Sequence, residues 1–138
     1  MSEIQLTSSS AALGDWVDEL LKKIFFQPDD ILSNETFKEY IASDLIVRIN
    51  HGRFNYEEFM NAVTQARAKD NMSVQSNNEI QVWNAPDGSG GGCVAHMSHF
   101  TLTDKKSGQA VKSSSLTLAN VQVRNGKRVL VELTEVAN

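Results

Sequence analysis

The sequence predicts an α+β fold in which a cone-shaped, curved antiparallel sheet wraps around helices near the N-terminus. Three observations lead there. Helical patterns come first in the chain. A strand-like run, Asp44 to Asn50, then precedes one further helical segment. Everything after about Met72 reads as long strands joined by polar turns. A sheet with helices gathered on one side leaves a pocket between the two layers.

Each element has its own signal. Leu13, Trp16, Val17, Leu20, Leu21 and Ile24 recur at helical spacing and predict a helix over about 13–26. Its early acids, Asp15, Asp18 and Glu19, and its late Lys22 and Lys23 complement the helix dipole. Pro28 followed by Asp29-Asp30 breaks it. Ser33 or Asn34 is expected to cap a short second helix over 35–41. His51-Gly52-Arg53 reads as a turn. Asn55, with Glu58 three residues on, forms a capping box for a helix over about 56–67, whose buried face is Phe59, Met60 and Val63.

The later strands are expected over about 72–83, 93–103, 111–124 and 128–136. Ala85 to Gly92 reads as a hairpin loop, Asp104 to Gly108 as a turn, and Asn125-Gly126 as the strongest hairpin signal in the chain. The glycine-rich loop lacks a following helix and the Lys and Ser/Thr of a phosphate-binding loop, so no nucleotide or other cofactor is expected. Residues 1–12 are polar and serine-rich and are expected to be a flexible tail, with 13–138 a single domain.

Composition narrows the function classes. The net charge of -4 argues against a nucleic-acid surface, and the basic residues are scattered pairs. The single Cys93 forms no intramolecular disulfide, and no apolar run reaches the roughly 20 residues of a membrane span. The N-terminus has neither the basic region nor the apolar run of a secretory signal, so a cytoplasmic protein is expected.

Three features together carry a family resemblance: the amphipathic helix Asp15 to Leu21, the strand-turn-helix Leu45 to Phe59 through Gly52, and the closing hairpin Arg124-Asn125-Gly126-Lys127. With them, the chain from about Leu13 to Val136 resembles the nuclear transport factor 2-like superfamily and, within it, the small SnoaL-like proteins. The resemblance implies a nuclear transport factor 2-like or cystatin-like roll with a hydrophobic pocket. It implies a ligand such as a polyketide- or terpenoid-like metabolite, and pairing of two copies through the outer sheet face. Steroid-isomerase relatives place a carboxylate base at the end of the first strand, where this chain has Arg48-Ile49-Asn50-His51. They place a protonated acid on the penultimate strand, where Ala119 falls here. An enolate-stabilising site of that type is therefore not expected.

The sharpest polar feature is His96-Met97-Ser98-His99. Two strand residues three apart point to opposite faces, so the histidines are not expected to share a metal. Taking Val129, Val131 and Leu133 as helix-facing, the alternation carries through Val121 and Val123 to Ala119, Thr117, Ser115 and Ser113. Crossing the Asp104–Gly108 turn extends it to His99, Met97, Ala95 and Cys93. His99 is thus the candidate catalytic acid or base, in a pocket with Met97, Ser113, Ser115, Thr117 and Val131. Trp16 and Asn50 are further ligand-binding candidates, as an aromatic wall and at the mouth. Phe100, Leu116, Leu118, Leu130 and Val82 are expected on the outer face, where so much apolar surface suggests a homodimer. Two readings stay open. One is an isomerase, cyclase or dehydratase acting on a hydrophobic small molecule. The other is a non-catalytic ligand-binding or protein-association domain.

Overall fold

The structure, a computed structural model, describes residues 5–7 and 11–138. The expected tail therefore lies in part outside the described residues. Within its described part Leu6 is buried, and its carbonyl accepts the indole N–H of Trp16 at 2.9 Å, while Gln5, Thr7 and Ala12 are exposed.

Three helices form where the apolar spacing places them. Helix α1, Leu13–Phe25, buries Leu13, Trp16, Val17, Leu20, Leu21 and Ile24. Helix α2 is Asp30–Tyr40, so it starts earlier than the Ser33 or Asn34 cap predicts. Asp29 is the cap, its carboxylate accepting from the N–H groups of Ile31 and Leu32 at 3.0 and 3.2 Å. Ser33 is left free to donate at 2.7 Å to the Ile24 carbonyl at the end of α1. Helix α3, Tyr56–Lys69, carries the expected capping box, with Glu58 N–H to Asn55 at 2.9 Å and Asn55 N–H to Glu58 at 3.0 Å.

Six strands follow the order β2-β1-β6-β5-β4-β3 in one sheet. They are β1 (Ile41–Ile49), β2 (Gly52–Phe54), β3 (Asp70–Asn84), β4 (Gly92–Asp104), β5 (Ala110–Arg124) and β6 (Lys127–Ala137). The sheet is mixed rather than wholly antiparallel, because β1 lies parallel to β6. The four strands β3–β6 are successive hairpins and alternate by necessity. β1 joins their far edge from a distant part of the chain, and hydrophobic alternation along a strand carries no information about its neighbour's direction. The segment read as a plain turn makes the short strand β2, which pairs back on β1. The helices pack on the concave face around one large apolar cluster that includes Trp16, Leu20, Phe37, Leu45, Phe59, Val94, Ala119, Val121, Leu130 and Leu133.

Two register features correct the expected facing of side chains. Across the β4–β5 hairpin Thr103 pairs with Ala110, so each even-numbered residue of β4 sits opposite an odd-numbered residue of β5. The helix-facing set of β4 is therefore Val94, His96, Ser98 and Phe100, not Cys93, Ala95, Met97 and His99. His96 has 0% exposure, whereas His99 and Cys93 are exposed. The reason is the length of the turn, which holds Asp104 against Gln109 (2.9 Å) and shifts the alternation by one residue. The second feature is a bulge in β6. Val121 pairs with Leu130 but Asn120 with Glu132, which leaves Val131 as the extra residue. Leu130 thereby turns into the main core, and Val129 and Val131 form a separate small cluster with Ala42.

Candidate active site

Rows of paired residues cross the concave face of the sheet, and one row is polar. His96 pairs with Thr117, Thr117 with Glu135, and Glu135 with Ile49. The neighbouring row runs Asn77, Ser98, Ser115. Above these rows a cavity of about 220 Å³ opens between sheet and helices. Leu21, Phe25 and Phe26 of the α1 segment, Phe59 and Val63 of α3, and Met72, Phe100 and Ile49 of the sheet supply its apolar wall. Ser98, Ser115, Thr117 and Glu135 supply its polar floor, and among the described residues Glu135 is the one ionisable group lining it.

Burial pushes the Glu135 carboxyl above its ordinary value, while the Thr117 hydroxyl and the nearby His96 ring pull the other way. The net direction is upward, which favours the neutral acid over the carboxylate. His96 is held from its other side. Its Nδ1 lies 2.7 Å from Asp18 Oδ1 of α1. A carboxylate only accepts, so Nδ1 carries the proton in this contact. The ring's Nε2 is buried and has no hydrogen-bond partner among the described residues. Asp18 Oδ1 also accepts from Asn77 Nδ2 at 2.8 Å, and Asn77 Oδ1 accepts from the Ser98 hydroxyl at 2.6 Å. The floor is therefore a continuous polar assembly from α1 through β3 and β4, with the Thr117–Glu135 pair beside it.

Of the predicted site residues, Ser115 and Thr117 line this cavity. The others do not. His99 points to the opposite face through the β4–β5 register, and Met97, paired with the exposed Leu116, does the same. Ser113 donates to the backbone carbonyl of Asn138. Val131 is displaced by the bulge into the cluster with Ala42 and Val129. Trp16 is fully buried in the core, edge-on to Tyr40. Asn50 is exposed at a positive φ of 54°, and its amide brackets Ala137, accepting from its N–H and donating to its C=O at 2.9 Å each. It pins the ends of β1 and β6 together. Phe100 lines the cavity, Leu130 is in the core and Val82 packs against it, so none belongs to the outer face.

Signals for the missed residues were present. Asp18 is three and seven positions before Leu21 and Phe25, so it shares their helix face. Glu135 is two residues beyond the inward Leu133. Among the described residues no group of three or more His, Cys, Asp or Glu side chains could hold a metal ion.

No family model matches the chain. No curated protein matches it either. Solved structures do match. A conserved protein from Planctomyces limnophilus aligns with a TM-score of 0.70 at 12% identity, covering 86% of this chain and 87% of that one. The BvnE pinacolase of Penicillium brevicompactum aligns with a TM-score of 0.65 at 11% identity, covering 98% and 88%. A nuclear transport factor 2-like protein from an Exiguobacterium species aligns with a TM-score of 0.57 at 10% identity, covering 80% and 86%. At these identities the likeness is one of fold.

Proposed function

We infer that this chain, which has the nuclear transport factor 2-like fold, is a small-molecule acid–base catalyst of the isomerase, cyclase or dehydratase kind. The observation that carries the reading is Glu135, a lone carboxyl of raised pKa in the floor of an otherwise apolar cavity. A carboxylic acid whose neutral form is favoured by burial can deliver its proton to a carbonyl or departing hydroxyl oxygen. The carboxylate left behind then accepts the proton that the substrate sheds, and the site returns to its starting state without a co-reactant. Thr117, between His96 and Glu135 in the same row, offers its hydroxyl to the carboxylate that appears, and His96, held by Asp18, lies behind it. The cavity is smaller than the roughly 300–1,000 Å³ of pockets for drug-sized ligands. Its ligand is accordingly a compact hydrophobic molecule. The similarity in fold to a pinacolase supports the reading.

The test uses proton transfer itself. A panel of small ring ketones in D2O is followed by proton NMR for loss of signal α to the carbonyl. Exchange catalysed by the wild type is expected to fall by about 10²–10⁴-fold in Glu135→Gln. Ketones that bind in the cavity but exchange no faster than in buffer would replace catalysis with the non-catalytic binding reading.

We also propose that two copies pair through the convex face. Leu118, Leu116, Trp83 and Val136 are 51%, 39%, 56% and 64% exposed there, and a groove of about 480 Å³ runs beside Trp83, Cys93, Ala95 and Leu118. Apolar side chains of this size on one open sheet face are the usual mark of an interface.

A further inference from the structure

The hydrogen-bond chain behind Ser98 has a direction, and the direction reaches the cavity. It begins at Asp18, whose carboxylate can only accept. Asn77 must therefore turn its NH2 group toward Asp18, at 2.8 Å, which leaves its carbonyl oxygen facing Ser98. A carbonyl oxygen also only accepts, so Ser98 gives it the single hydroxyl proton, at 2.6 Å. Ser98 is 4% exposed and lines the cavity. We infer that Ser98 presents only lone pairs to the cavity, so that the ligand carries a hydroxyl or N–H donor at that place. This rests on the reading of the cavity as a small-molecule site and names the class of molecule it takes: a compact apolar body with a hydrogen-bond donor on the edge that meets β4.

The neighbouring groups sharpen the selection. The same Asp18 oxygen orients His96, so one carboxylate sets the direction of two side chains behind the floor. Among the described residues no side-chain hydrogen bond holds the Ser115 hydroxyl, which can turn either way, and Glu135 on β6 meets the opposite side of the ligand, so the selection at the β4 edge is made by Ser98. A ligand with an ether or carbonyl oxygen there sets lone pair against lone pair and loses its own hydration without replacement. Asn77 does not touch the cavity. It is a positioning residue that fixes which way the Ser98 proton points.

Three matched probes test this by binding alone, independent of turnover: phenol, a donor; anisole, an acceptor of similar shape; and toluene, which is neither. Affinities are read by two-dimensional amide NMR of the full chain. The wild type is expected to bind phenol about tenfold more tightly than anisole, an advantage a single well-made hydrogen bond supplies. In Asn77→Ala the Ser98 hydroxyl is released to donate, and in Ser98→Ala it is absent. Both variants are expected to lose the phenol preference to within about twofold while toluene affinity stays unchanged, which separates polarity from cavity shape and folding. Equal binding of phenol and anisole by the wild type, with shifts centred on the cavity, overturns the inference and leaves the cavity reading standing. A phenol preference that survives in Ser98→Ala also overturns it. No cavity-centred shift with any of the three probes overturns both.

Discussion

At the residue scale, Glu135 and His96 show how position rather than residue type sets the chemistry. Glu135 has its folded pKa raised by burial above the ordinary 4.5 of a free side chain. Folding therefore favours its protonated form. That contribution is fully present below about pH 4.5 and is lost as pH rises through the folded value. The Glu135→Gln variant, which cannot ionise, is expected to melt at a higher temperature than wild type at pH 8, with the gap closing toward pH 4. A gap independent of pH would show that the carboxyl is solvated. His96 and His99, three residues apart, are expected to behave differently. His96→Ala removes the contact to Asp18 and is expected to cost about 1.5 kcal/mol in denaturant unfolding, the lower end for a hydrogen bond to a charged group, because Asp18 is 36% exposed. His99→Ala is expected to fall within about 0.5 kcal/mol of wild type. The local sequence showed that one histidine faces inward and one outward. Which one depends on a hairpin register that residue types within the strand do not encode.

At the element scale, the capping box of α3 and the apolar spacing of α1 act locally, and their effects are separable. Asn55→Ala removes the cap of α3 and is expected to cost about 1 kcal/mol in denaturant unfolding. Trp16→Ala is expected to cost about 3–5 kcal/mol, since the ring is fully buried on α1 and its removal leaves a cavity in the core. It also leaves the Leu6 carbonyl without its donor, and a midpoint equal to wild type would mean that α1 does not sit as described. The cap of α2 was less legible. Asp29 outcompetes Ser33 because Ser33 is drawn to the Ile24 carbonyl, a tertiary partner nine residues away.

At the scale of the whole molecule, the sheet has two unlike faces. The concave face carries the core and the cavity, and the convex face leaves Leu118 half exposed in the middle strand β5. If two copies pair there, Leu118→Arg is expected to convert a sedimenting dimer to a monomer while leaving the melting of the monomer fold nearly unchanged. A wild type that sediments as a monomer at micromolar concentration would remove the convex face from consideration. No helix of the described residues is long and apolar enough to cross a membrane.

The sequence by itself determined what depends on near neighbours: the amphipathic arc of α1, the capping box of α3, the Asn125-Gly126 hairpin and the overall α+β order. Those features arise from side chains within a turn or two of one another, so composition and spacing suffice to read them. Tertiary structure decided the parallel seating of β1 on β6, the bulge at Val131, and the one-residue shift between β4 and β5. Each of these is a choice of partner or register across many residues of chain. A shift of one reverses every side chain of the strand that follows. That reversal exchanged His99 for His96 and brought Asp18, Asn77 and Ser98 into one hydrogen-bonded line beneath the cavity. Glu135 reached the cavity floor by the alternation of β6 beyond the bulge, set by its pairing with Thr117.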